Sequence, residues 1–251
     1  MMTGTTFDSL RLAIAETLLK MERSLCLSTE VARLEDPDVR AAFRSGLDWM
    51  ERFVMKPHPH LGRKGAVCPF VHPAHEGKRL YFCAIDCREM GFELFLEVMM
   101  AVPALFGRIA EQLMTRRDLL SLGVFPINLP AEDYYKFIDC AHSILKPIYM
   151  VAGLMIGEFH PLSTATGAHS EGIRPLRADV PFFAARSIAV HDKLFIDRAS
   201  GSVGQRIHEL ECYLRWTRSS LSLEDIARCT ARIDELKHQL IGDEDHADAA
   251  V

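Results

Sequence analysis

The chain has 251 residues, of which 49% are hydrophobic and 25% charged, and its formal net charge is -5. That length supports one large domain or one domain with helical appendages, and the mildly acidic balance argues against a general nucleic-acid surface, which is basic. Seven cysteines without a Cys-x-x-Cys pair read as reduced thiols of a cytoplasmic protein, not as a disulfide framework.

In chain order, residues 7–27 carry Leu10, Ile14, Leu18 and Met21 at helical spacing, which predicts an amphipathic first helix. Asp36-Pro37-Asp38 predicts an N-cap with proline at the first helical position, opening a second helix through about Met55. Residues 56–73, rich in proline and glycine, predict a loop of the kind that carries function. The run Leu-Tyr-Phe-Cys-Ala-Ile-Asp at 80–86 predicts a buried strand. A long helix is expected over 89–114, with Phe92, Phe95, Leu96, Met99 and Met100 inward and Pro103 kinking or splitting it.

Residues 119–128 predict a strand, and 130–146 a helix that ends before Pro147. The apolar segments 148–159 and 180–190 then predict two core strands. Beyond them, Val203, Ile207, Leu210 and Leu214, and then Ile226, Cys229, Ile233, Leu236 and Leu240, predict a helical hairpin with a cap at Ser222. Each arm is too short for a coiled coil, so the hairpin packs on its parent domain or pairs two copies as a homodimer. No apolar run approaches the ~20 residues of a membrane-spanning helix, and no signal peptide opens the chain. The expected fold is α+β: a mainly antiparallel, ferredoxin-like sheet covered by helices. It divides into an N-terminal helical region (1–56), an α+β core (57–197), the hairpin (198–242) and a disordered tail (243–251).

The chemistry-bearing residues gather on punctuated segments. Gly157-Glu158-Phe159-His160-Pro161, then His169, then Arg174-Pro175-Leu176-Arg177 place imidazoles near paired guanidinium groups. That chemistry suits an anionic ligand or a metal centre bearing carboxylates; the plain structural alternative is that Glu158 or Asp179 pairs with the arginines. A second box holds His58, His60, Cys68, Phe70, His72 and His75. Its spacings are not those of a zinc site, and Cys68 reads as a small buried residue, a thiolate for haem iron, or a nucleophile with His72 or His160 as base. Asp86 is expected to cap the following helix, Cys83 and Cys87 to be core, and His142 and His191 to be structural. Dinucleotide, P-loop, serine-hydrolase, zincin and c-type haem motifs are all missing.

His-Pro-His-Leu-Gly-Arg (58–63), Val-Cys-Pro-Phe-Val (67–71), Gly-Glu-Phe-His-Pro (157–161) and Arg-Pro-Leu-Arg-x-x-x-Pro (174–181) resemble a bacterial family of unknown function over about residues 55–197. More distantly, the arrangement is similar to the YqcI/YcgG family, some of whose members are haem-dependent oxygenases that hydroxylate nitrogen in small amines or guanidines. The matching positions are Cys68 and Phe70 early, and His169, Arg174 and Arg177 late. The early box differs in having Cys before Pro, and the His-to-Arg spacing is longer by one or two residues. What the resemblance implies is haem b bound through His169 or His160, with Arg174 and Arg177 on its propionates. Glu158 would orient the ligating histidine or hold the cationic nitrogen of a small substrate. The expected function is therefore a haem-dependent N-oxygenase, with its electron donor unspecified. The alternatives are a haem or ligand sensor without turnover, and a structural or interaction module.

Overall fold

The computed structural model describes residues 4–61, 64–113, 117–166, 172–199 and 201–248. Its elements are α1 (Gly4–Arg23), β1 (Cys26–Leu27), α2 (Pro37–Trp49), α3 (Val71–Glu76), β2 (Leu80–Asp86), α4 (Phe92–Gln112), β3 (Ser121–Ile127), α5 (Ala141–Val151), β4 (Leu154–Phe159), β5 (Phe182–Ser187), α6 (Val203–Thr217) and α7 (Leu223–Asp248). The fold is α+β, with a five-stranded sheet in the order β1-β2-β3-β5-β4 covered by helices. The sheet is mixed, which corrects the mainly antiparallel expectation. β1 pairs antiparallel with β2 and β3 antiparallel with β5, but β2 and β3 run parallel from Leu80 opposite Ser121 to Asp86 opposite Ile127. The reason is α4: a helix of that length between two strands returns the chain to the same end of the sheet. Among the described residues no helix is long and apolar enough to cross a membrane.

The chain divides into two compact units, Met1–Leu145 with Ile156–Ser187, and Lys146–Met155 with Ile188–Val251. In the first, α2 begins where Asp36 caps it, its carboxylate accepting from the Asp38 and Val39 N–H groups at 2.9 and 3.1 Å. β2 is buried on both faces from Leu80 to Ile85, as a strand with neighbours on each side and covered faces must be. α4 continues through Pro103 without a break, so of the two expected outcomes, a kink or a split, the split does not occur. Pro126 lies past the last residue of β3 paired with β5, Val124 opposite Phe183, where a missing N–H interrupts no ladder on that side.

The core of this unit is aromatic. Phe182 stacks on Phe159 with centroids 4.6 Å apart and on Phe125 at 5.1 Å. Trp49 meets Phe159 at 5.6 Å and Phe182 at 5.7 Å. Phe43 closes the other end against Phe125 at 4.9 Å and Phe82 at 5.5 Å.

The second unit contains the end of α5, α6 and α7. The expected strand at 148–159 is helical through Val151. Pro147 lies inside the helix instead of ending it, and Gly153, at φ +79, provides the left-handed stop. The Gly153 N–H donates to the Met150 carbonyl at 3.0 Å. A Cβ there would lie 2.7 Å from the Trp216 ring, so glycine is required both by conformation and by space. Ser202 caps α6, accepting from the Gln205 N–H at 3.2 Å, and Ser222 caps α7, accepting from the Asp225 N–H at 3.0 Å. Of the predicted hairpin seam, Ile207, Leu210, Leu214, Cys229, Ile233 and Leu236 are buried, Val203 and Ile226 are half-buried, and Leu240 is exposed. Lys146 pairs with the buried Glu209 at 2.7 Å. α7 runs to Asp248, into the stretch 243–251 that the sequence reads as a tail.

Two outcomes follow from this architecture. Phe182→Ala removes the ring that joins both stacks and is expected to cost about 3–5 kcal/mol in urea denaturation; a loss below ~1 kcal/mol would mean that the stack does not hold the unit together. At the end of β2, Arg88 grips Asp86 and, with help from Asn128, holds its carboxyl down at about 2. A depressed carboxyl contributes stability above its ordinary range near ~3.9 and loses it as the pH falls. The pair is well exposed, so Asp86→Asn should cost less than about 1 kcal/mol at neutral pH. The gap between the two proteins' urea midpoints should narrow as the pH drops toward about 3.

Candidate functional site

Every polar group of the site lies in the first unit, around the chain leaving β4. Phe159 turns its ring into the aromatic stack, and the next residue, His160, begins an irregular path. The His160 N–H donates to the Leu176 carbonyl at 3.2 Å, and the Ser163 N–H donates to the His160 carbonyl at 3.2 Å. Arg177 returns its Nε–H to the Pro161 carbonyl at 3.0 Å. The segment is thus tied to itself by backbone bonds, and two groups on and just after α2 pin it from outside. Trp49 donates its indole N–H to the Arg177 carbonyl at 3.0 Å, and Arg52 pairs with Asp179. Ile173 and Ala178 are buried beneath it.

The described part of the histidine box, His58 to Leu61, comes to the same place. A one-turn π-helix, Met50–Val54, follows α2, and Phe53 sets its ring against His58 at 5.7 Å. His58 in turn faces His60 at 5.6 Å. A Cβ on Gly172 would approach the His60 ring to 3.3 Å, so glycine lets the two boxes touch. The Cys68 N–H donates to the Val54 carbonyl at 3.0 Å, and the Cys68 side chain packs against the unit's apolar core.

At the centre is an imidazole that sequence spacing did not connect to anything. His160 is 3% exposed, and its Nε2 lies 3.0 Å from Asp139 Oδ1. Asp139 comes from a π-helical turn, Tyr135–Cys140, that runs directly into α5. The other ring nitrogen, Nδ1, is buried with no hydrogen-bond partner among the described residues. Leaving such a group unpaired costs about 1–3 kcal/mol. Tyr134 sets its ring edge-on to the imidazole at 5.5 Å, and burial pushes its phenol up. Beside this pair lies its mirror. His142, three residues after Asp139, meets Glu158, two residues before His160, at 3.1 Å, and also reaches the Ile156 carbonyl at 3.1 Å. The helical segment gives one carboxylate and one imidazole, and β4 with the residue just after it gives the other two, crossed.

The structure therefore brings Glu158, His160 and the backbone of Arg174 and Arg177 to one segment. It ties Glu158 to His142, not to the arginines, and leaves both arginine side chains at the surface. Phe70 lies elsewhere on the unit, half-buried under the Arg186 guanidinium at 4.1 Å. His169 lies outside the described residues. Among the described residues no three His, Cys, Asp or Glu side chains converge as a metal site. Asp86 is drawn to Arg88 and Asn128 and caps no helix; α4 starts at Gly91 without a side-chain cap. Cys83 and Cys87 are core, as expected, with burial pushing each thiol up to about 12.

For haem, the donor chemistry fits: a buried imidazole backed by a carboxylate on one nitrogen, with the other unengaged, is how metal-ligating histidines are held. The inward face of α4 is core, as its spacing predicts. Phe95 and Met99 are fully buried, with Phe95 against Phe137 at 5.2 Å. From sequence, Asp139 and Tyr134 are left out and His142 is taken as a structural histidine, because their partners lie about twenty positions away. The one local signal was the three-residue step from Asp139 to His142, which puts both on one helical face.

A family model described as a domain of unknown function (DUF6875) matches residues 43–221. That span takes in every nominated site residue and leaves out α1, β1 and α7. No curated protein and no solved structure matches the chain. Because the His160 ring is sealed, Asp139→Ala should destabilise the fold by about 1–3 kcal/mol. Asp139→Asn, whose amide oxygen still accepts, should cost less. Equal urea midpoints for wild type and Asp139→Ala would show that the pair contributes nothing.

Proposed function

The chain belongs to the DUF6875 family, and we propose that it is a haem-dependent oxygenase that hydroxylates an amine or guanidine nitrogen of a small metabolite. Two things support this reading: the likeness of the boxes around Cys68, Phe70, His169, Arg174 and Arg177 to those of the YqcI/YcgG family, and the state of His160. The observation that carries it is the latter, a buried imidazole with one nitrogen on a carboxylate and the other without a partner.

In this reading His160 is the iron ligand and Asp139 fixes its ring. Arg174 and Arg177, both exposed, take the propionates by paired N–H donation. Glu158 has one carboxylate oxygen on His142, and its remaining acceptor capacity suits the cationic nitrogen of the substrate. Haem, when bound, supplies the activation of dioxygen. The balance is one dioxygen, two electrons from an external donor and two protons, giving the N-hydroxylated product and water. The seven cysteines are free thiols, which supports placing the protein in a reducing cytoplasm. A second reading, a binding or structural module without turnover, is favoured by the closed packing of Phe95 and Met99 in the core of the unit.

Titrating the purified full-length chain with haemin tests both. A Soret band that saturates at one equivalent, is lost in His160→Ala and survives in His169→Ala is the expected result. Loss in His169→Ala alone would move the ligand into the segment 167–171. No band in any form would end the haem reading and leave the module. Oxygen uptake by the reduced, haem-loaded protein with small amines and guanidines then separates an oxygenase from a sensor.

A further inference from the structure

We infer that the working atom of the site is His160 Nδ1 and that Asp139 is the positioning residue that prepares it. This deepens the reading above and rests on it only in taking His160 as the functional side chain. A carboxylate can only accept hydrogen bonds, so the nitrogen it faces must carry the proton. Asp139 Oδ1 faces Nε2 at 3.0 Å. In the neutral ring the proton therefore sits on Nε2 and the lone pair on Nδ1. That lone pair is sealed from solvent and has no partner among the described residues.

The surrounding bonds keep the ring from choosing otherwise. The His160 backbone N–H and carbonyl are both used, by Leu176 and Ser163, and the Tyr134 ring flanks the imidazole. The neighbouring histidine cannot take over Asp139, because His142 is held by Glu158 and the Ile156 carbonyl. The crossed pairs thus give each imidazole its own carboxylate. Of these two imidazoles, His160 is the one whose second nitrogen is buried without a partner among the described residues. The ligand class that suits it is an electron-pair acceptor, with the iron of haemin as the probe.

The test reads the tautomer directly. Long-range proton–nitrogen correlation spectra of the full chain, labelled at histidine nitrogen and recorded at about pH 8, where an ordinary imidazole is neutral, assign His160 by its loss in His160→Gln. The expected wild-type pattern is a protonated Nε2 and a bare Nδ1. Asn can accept or donate, so Asp139→Asn should give a mixture of tautomers. It should also weaken haemin binding roughly 10- to 100-fold, as loss of an outer-shell carboxylate does. A proton on Nδ1 in the wild type would overturn the inference. So would an unchanged tautomer and unchanged haemin affinity in Asp139→Asn. The wild-type spectrum needs neither haem nor a substitution, so it decides the matter even if Asp139→Asn does not fold. A bare Nδ1 with no haemin binding would sink the haem reading while leaving the role of Asp139 standing.

Discussion

The aromatic stack in the first unit is the constraint on which the site depends. Phe43, Phe82, Phe125, Phe182, Phe159 and Trp49 form a continuous series of ring contacts from β2 and β3 across β5 and β4 to α2. Rings of this size contribute both buried area and preferred mutual orientations. Their positions therefore fix where α2 lies on the sheet. Trp49 is the link to chemistry: one side of its indole is core, and its N–H holds the Arg177 carbonyl. That bond acts together with the Arg52 ion pair and the buried Ile173 and Ala178 to hold the arginine-bearing segment.

Immediately beyond the stack the character of the chain changes from apolar to charged within one residue. Phe159 belongs to the core and His160 to the site. Burying an imidazole at that boundary is tolerable because Asp139 satisfies one of its nitrogens. The second crossed pair, His142 with Glu158, fastens the same helix to the same strand. Rigid backing of this sort is what a ligand-holding group needs, since a side chain that can swing loses orientation before it gains contacts. The unpaired Nδ1 is the exception in an otherwise satisfied cluster, and exceptions of that sort mark places where stability gives way to function.

Much of this architecture was readable from the chain. β2 could be read because a short, wholly apolar run has few other homes, and α2 because Asp36-Pro37 is a start signal with a mechanism behind it. β3 and β5 fell within a few residues of their expected bounds. The failures have physical causes. Residues 148–151 look like strand by composition, but the left-handed Gly153 permits a helix to end there, and tertiary packing kept the helix going through Pro147. The parallel pairing of β2 and β3 follows from the length of α4, which the sequence did show but which was not carried through to the sheet. The site was half visible: Glu158, His160 and the arginines lie on one marked segment, whereas Asp139 and His142 are contributed by tertiary structure alone.

The turn that carries Asp139 has a consequence of its own. A π-helical turn is an α-helical turn with one residue too many, so its geometry is set by the number of residues and hardly by their identity. Tyr135–Cys140 is such a turn. Shortening it by one position would let ordinary α-helix form, swinging everything upstream round the axis by about 100° relative to α5. The carboxylate facing His160 would then depend on which neighbour rotated into its place. This part of the molecule is accordingly tolerant of substitution on its outer face and intolerant of insertions or deletions, so that among relatives an unvarying spacing here would say more about the site than an unvarying residue.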